Sequence, residues 1–342
     1  ISTIDSRFSL ENMLESKQNS EEESIMLTIT LQAGGYEATF APANGGACIS
    51  LQKGDLHLFH QWSKSEEVEA HPTSYGLPCL FPPNRIDGGR FVFEGVESAL
   101  PVNEPDRNNS LHGFLHKRPW QVEGYFEDED MAEIHMVFEG DRDTDFYAYY
   151  PYEFEAELIY RLDKEGLHQE FRLTNYSEGD MPYGLGWHTA FAVPFVEGAR
   201  AEDTKVRVSI GKRVILNDRA LPTGELRPLS EEEEKFRGAG QSPVYADMDD
   251  HFTAEPIEVN GQPFHGAVLE DLASGHTLYY RVDDFYKHWM IWNCHQEGSF
   301  ICIEPQNWRV NAPNLELPRE ESGLGVLGSQ ETVTVRADVY AE

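Results

Sequence analysis

Positive charge is scarce in this chain. Its 342 residues carry 27 lysines and arginines against 60 aspartates and glutamates, a formal net charge of −33. A surface of that sign repels phosphates, so neither nucleic acid nor an anionic membrane is expected as a partner. Cysteine is scarce too: Cys48, Cys79, Cys294 and Cys302 are scattered, flanked by apolar residues and outside any C-x-x-C spacing. That excludes a disulfide framework and a cysteine zinc site, and leaves reduced, buried thiols in a cytoplasmic protein as the expectation. No apolar run reaches the ~18–20 residues of a membrane span, and the N-terminal stretch lacks the apolar block of a secretory signal.

Helical periodicity is also rare, confined to "SLENMLES" and "LSEEEEKFR". A βαβ layout is thereby excluded, and with it the phosphate-cradling loops that such layouts carry. What fills the chain instead is one short alternating run after another, among them "YEATFAP", "AEIHMVFEG", "YEFEAELIYRLD", "GLHQEFRLTNY", "HTLYYRVD", "SFICIEP" and "ETVTVRADVY". Each is rich in Val, Ile, Phe, Tyr or Thr and is bounded by Gly, Pro, Asn or Asp, the pattern of an all-β protein. Residues 1–24 read as a polar arm with a weak helical pattern; no linker divides residues 25–342, which are expected to form one large sandwich. The acidic runs at 123–134 and 230–238 read as solvated loops or helix ends.

Candidate chemistry begins at "MPYGLGWHTAFAVPF" (181–195). Strand alternation puts Tyr183, Leu185, Trp187, Thr189 and Phe191 on one face and Gly184, Gly186, His188, Ala190 and Ala192 on the other. A lone histidine in an apolar strand is ordinarily a core residue. The bare neighbours here bring a ligand-facing imidazole level with that reading, since strand glycines often mark a close approach by a ligand. In "SFICIEPQNW" (299–308), Glu304 ends an apolar strand on the face of Cys302 and Gln306, where partial desolvation would raise its basicity. In "NNSLHGFLHKRPW" (108–120), His112 and His116 are spaced i, i+4, but Gly113 and Pro119 make the segment a loop. A hydrogen-bonding role for His112 is therefore expected ahead of metal ligation, and no metal is expected at His57 and His60, which have no third ligand nearby. "PPNRIDGGRF" presents Arg85 after Asn84, and "YADMDDHF" offers Asp247, Asp249 and Asp250 as hydroxyl acceptors.

Taken in order, Asn84-Arg85-Ile86, Leu111-His112-Gly113, Gly186-Trp187-His188 with Phe191, an Asp-Asp before an aromatic, and Glu304-Pro305-Gln306 resemble the aldose 1-epimerase (galactose mutarotase) family over roughly residues 75–315. The resemblance implies a β-supersandwich, no cofactor, a free hexose as substrate, and a monomer or homodimer. It implies Glu304 as general base, His188 as general acid with His112 also at the ring oxygen, and Arg85, Asn84, Gln306 and an aspartate on the hydroxyls. Asp249, three residues before Phe252, is the expected aspartate, with Asp250 the alternative. Where the family often has Pro-Tyr after the second histidine, this chain has Thr189-Ala190. Acid and base work best with one protonated and one ionised near neutrality, which here requires nearby carboxylates to keep His188 charged. Two other readings stand beside this one. One is a mutarotase of a phosphorylated or modified hexose, with Arg85, Arg90, Lys117 and Arg118 as its cations; the other is a non-catalytic sugar-binding protein on the same fold. Glycoside hydrolysis would need a second carboxylate beside Glu304.

Overall fold

Two eight-stranded antiparallel sheets hold the molecule together in a computed structural model that describes residues 26–342. The expected arm and its helical pattern lie outside the described residues. One sheet runs, in spatial order, Gln121–Glu127, Met131–Gly140, Phe154–Asp163, Gly166–Asn175, Thr332–Ala341, Thr277–Val282, Gly266–Asp271 and Thr204–Val208. Its strands alternate cleanly: Phe154, Ala156, Leu158, Tyr160 and Leu162 point inward and are buried, while the residues between them are not. The acidic run at 123–134, expected as loop, instead forms the hairpin of the first two strands, because Ile134 and its period-2 neighbours anchor one face to the core. The run at 230–238 does contain a helix, Glu231–Glu234, capped by Ser230 and Glu233 in a reciprocal box.

The second sheet positions the site. Its order is Pro222–Arg227, Ile210–Leu216, Asp249–Ala254, His288–Trp292, Phe300–Gln306, Gly186–Trp187 and Cys79–Leu80, with Thr189–Ala192 also paired to Phe300–Gln306. All seven residues of Phe300–Gln306 are buried, so this strand is covered on both faces. One face, with Ile301 and Ile303, joins Trp187, Phe191, Trp289 and Ile291 in the main apolar cluster. The other forms the floor of a cavity. Glu304 does not end this strand, as its proline had led us to expect; the strand runs on through Pro305 to Gln306.

Among the described residues no helix is long and apolar enough to cross a membrane.

Candidate active site

Strand register brings the acid–base candidates together. Gly186 pairs with Gln306 and Ala190 with Cys302, which leaves His188 facing Glu304 across the same two strands. On the other side of Glu304 stands Met290, and on the other side of Cys302 stands Trp292, itself paired with Asp249. Directly opposed residues share a face, so His188, Glu304, Met290, Trp292 and Asp249 form one contiguous floor. Above it lies a cavity of about 570 Å³, within the range of small-ligand sites. Its walls come from the Arg85–Asp87 and Asn109–Leu111 strand pair, which delivers Asn84, Arg85, Leu111 and His112.

The imidazole of His188 is the hub. Its Nε2 stands 3.1 Å from Oε1 of Glu304, close enough for a proton to pass directly. His112 meets it edge-on, ring centroids 5.0 Å apart, and Trp292 meets it from another side at 5.8 Å. Burial drives His188 down to about 4, opposed by the backbone of Thr73 and reinforced by Arg85. Burial drives Glu304 the other way, well above the usual carboxylate range, with Asp249 adding to the rise and Arg85 opposing it. The expectation that nearby carboxylates keep His188 charged is therefore corrected: burial dominates and pushes both groups toward their uncharged forms. His112 is likewise held well below its ordinary value by burial and by its histidine neighbours.

His112 is presented by a strained loop. Its φ is +63°, a left-handed conformation that side chains adopt rarely, and Gly113 follows at +61°. A Cβ on Gly113 would lie 2.0 Å from the Phe81 carbonyl oxygen, so only glycine fits. The His112 amide closes the loop by donating to the Asn84 carbonyl at 2.9 Å.

Arg85 is fixed by a residue the sequence reading did not single out. Glu104 accepts from Arg85 Nε at 3.0 Å and from Nη2 at 3.1 Å, and also takes Arg107 and Asn109. Asp249 approaches Arg85 Nη2 at 3.4 Å and Arg107 at 3.7 Å, facing the cavity. Asp250 lines the cavity too but is bonded to Arg213. Arg107, Trp292, Met290, Thr73 and His295 are further lining residues that sequence reasoning missed.

Other expectations need correction. Gln306 does not line the cavity; it lies one step further along the floor, buried beside His288 and sharing with Pro83 the space above Gly186. The small residues of the His188 face do not leave a clearing for a ligand. Protein fills it: Trp308 packs on Gly184, and Ala190 is buried in an apolar cluster with Phe300, Cys302 and Trp292. Trp187 and Phe191 do pack behind, in the core. Thr189, at the departure from the family pattern, turns into the core and donates to Tyr280 at 3.1 Å. Arg90, Lys117 and Arg118 lie outside the cavity; Arg90 pairs with Glu97 and Arg118 with Asp145. His60 stacks between Tyr75 and Phe300 and His116 is buried, and no cluster of potential metal ligands occurs among the described residues. A larger groove, about 720 Å³, lies between residues 32–37 and 127–129, but its lining holds no histidine and no paired acid and base.

Fold and cavity together define a galactose mutarotase-like β-supersandwich. The profile of the aldose 1-epimerase family matches residues 27–339, and the chain belongs to that family. A galactose mutarotase-like protein from Clostridium acetobutylicum is 34% identical, with a TM-score of 0.89 over 92% of this chain and 95% of that one. A putative aldose 1-epimerase from Escherichia coli K12 shares the fold at 20% identity and a TM-score of 0.73, over 92% of this chain and 99% of that one. Protein LacX from Lactococcus lactis is 26% identical over 60% of this chain and 64% of its own length, so the match spans somewhat under two thirds of that relative.

Proposed function

We propose that this protein is an aldose 1-epimerase that interconverts the α and β anomers of a free hexose. The observation that carries the reading is the buried His188–Glu304 pair, 3.1 Å apart on the cavity floor. Where the pair holds one proton, its transfer from carboxyl to imidazole yields the carboxylate base and imidazolium acid that ring opening needs, without drawing on solvent.

Glu304 takes the proton from the anomeric hydroxyl as His188 gives one to the ring oxygen. The C1–O5 bond breaks, the C1 carbonyl forms, and rotation about C1–C2 presents the other face. Closure returns each proton to its donor, so both residues end as they began and the isomerisation balances with these two groups. His112, beside His188, supports the ring oxygen, while Arg85, Asn84 and Asp249 hold hydroxyls. A positioned acid–base pair of this kind contributes ~10²–10⁴-fold.

A neutral sugar fits the charges better than a phosphorylated one. The cavity lining offers two arginines against four carboxylates, and both arginines are already paired with Glu104 and Asp249. NMR or polarimetry on freshly dissolved α-glucose and α-galactose tests the reading. Wild type is expected to speed anomer exchange, and Glu304→Gln and His188→Asn to lose about a hundredfold or more. Exchange with glucose 6-phosphate alone, or with no hexose at all, would refute it.

A further inference from the structure

Beyond Trp292 the chain makes a turn that local energetics oppose. Cys294, His295 and Gln296 all have positive φ, +46°, +57° and +65°, three consecutive side-chain-bearing residues in the left-handed region. Such strain persists only where surroundings impose it, and it gathers at functional sites. Asn293, fully buried, imposes it: its Nδ2 donates to the carbonyls of Pro243 and Ala246, and its Oδ1 accepts from the amides of Met248 and Gln296. The turn is thereby locked to the loop that carries Asp247. What the lock holds in place is His295, whose Nδ1 lies 3.0 Å from Asp247 Oδ2; both side chains are otherwise exposed and both line the cavity. With Nδ1 committed to the carboxylate, Nε2 is left to meet a ligand.

The floor sets the distance from the reacting atoms. Met290 is opposite Glu304, and Trp292 is two residues further along the same face, about 7 Å away. His295 lies three residues beyond Trp292, Asp247 lies two before Asp249, the strand partner of Trp292, and both line the same cavity as exposed side chains. A pyranose whose C1 hydroxyl meets Glu304 and whose ring oxygen meets His188 has C4 opposite C1 and C3 opposite the ring oxygen. The edge that extends toward the rim is therefore the C3–C4 edge.

Building on the mutarotase reading above, we propose that His295, backed by Asp247 and held out by the left-handed turn, determines specificity by reading the hydroxyl configuration at C3 and C4. The test compares kcat/KM for anomer exchange across D-glucose, its C4 epimer galactose, its C3 epimer allose and its C2 epimer mannose. Wild type, His295→Ala and Asp247→Asn are measured side by side. Discrimination between the C3 and C4 epimers is expected to fall by about tenfold in His295→Ala and by less in Asp247→Asn, while the glucose-to-mannose ratio stays unchanged. An equal loss for every sugar would mark a merely structural role and overturn the proposal. Unchanged ratios, or a wild type indifferent to C3 and C4 configuration, would overturn it too. Failure of the wild type to exchange any aldose would instead strike the mutarotase reading, and this inference with it.

Discussion

Replacing Glu104 with glutamine keeps the shape of the side chain and removes the charge that fixes Arg85. The two side chains are 17% and 7% exposed, so the pair is far from a surface bridge. Removing one partner of a buried ion pair costs about 3–5 kcal/mol, and since Asp249 at 3.4 Å remains as a counter-charge we expect the lower end, about 3 kcal/mol. Unfolding entropy of ~2.1 cal/mol/K per residue gives about 0.7 kcal/mol/K for this length, so Tm should fall by about 4 °C. The loss has a pH signature. Burial opposes ionisation of Glu104, but the hydrogen bonds from Arg85 and Asn109 prevail and hold its pKa below the ordinary value. Its contribution is therefore complete above the unfolded-state carboxylate range and is lost as pH falls through the depressed folded value. Glu104→Gln should differ from wild type near neutrality and converge with it in acid. Arg85, freed on one side, should turn toward Asp249 and draw it from the sugar, raising KM about tenfold, or ~1.4 kcal/mol. Arg107→Gln is the control, since that partner is 39% exposed and its bridge should be worth no more than ~1 kcal/mol. Thermal melts against pH and anomer-exchange kinetics check both arms. A Glu104→Gln protein with wild-type Tm and KM would show that the fold alone places Arg85.

The one-proton pair predicts a bell-shaped pH dependence of kcat/KM. Activity should fall as pH drops through about 4, where His188 and Glu304 hold two protons, and again as pH rises through the elevated Glu304 value, where they hold none. An acid limb near the pKa of a free histidine, with circular dichroism showing intact protein, would contradict this. Trp292→Ala removes an aromatic wall beside His188, and KM should rise by about tenfold with a smaller change in kcat; an unchanged KM would show that the indole does not touch the sugar. Gly113→Ala would place a Cβ against the Phe81 carbonyl, and a loss of about 3 kcal/mol or more in urea unfolding is expected, with His112 displaced. A stable Gly113→Ala enzyme with normal activity would refute the account of that loop.

The sequence made the all-β architecture legible because strands such as Phe154–Asp163 bury one face, and period 2 shows it. It was silent on Asp249–Ala254 and His288–Trp292, the two strands that carry Asp249 and Trp292. "HWMIW" is covered on both sides, and a continuous apolar run has no alternation to reveal which face looks at a ligand. His188 and Glu304 were legible one by one, but their contact depends on a pairing register between distant segments. Gly184 and Gly186 were read as space for a ligand; they are space for Trp308 and Pro83, a distinction that only long-range packing decides. Glu104 and Arg107 sit in a polar loop, "VNEPDRNNS", whose composition does not distinguish a clamp from solvated surface.

The chain's large negative charge leaves little mark on the site, and the reason is physical. Surface carboxylates beyond the ~8–10 Å Debye length are screened, whereas the energy of taking a charge out of water acts on His188 and Glu304 directly. Burial penalises the imidazolium and the carboxylate alike, lowering the proton affinity of His188 and raising that of Glu304. A proton passing between them travels 3.1 Å, and a reaction that returns each proton to its donor needs no net uptake from solvent. Filling the cavity floor with apolar neighbours such as Met290 and Trp292 is thus part of the chemistry. A substitution that hydrated the floor without adding charge, Met290→Gln for instance, should lower the Glu304 pKa and raise that of His188. The carboxylate would then become a weaker base and the imidazolium a weaker acid, and kcat should fall although both residues keep their places.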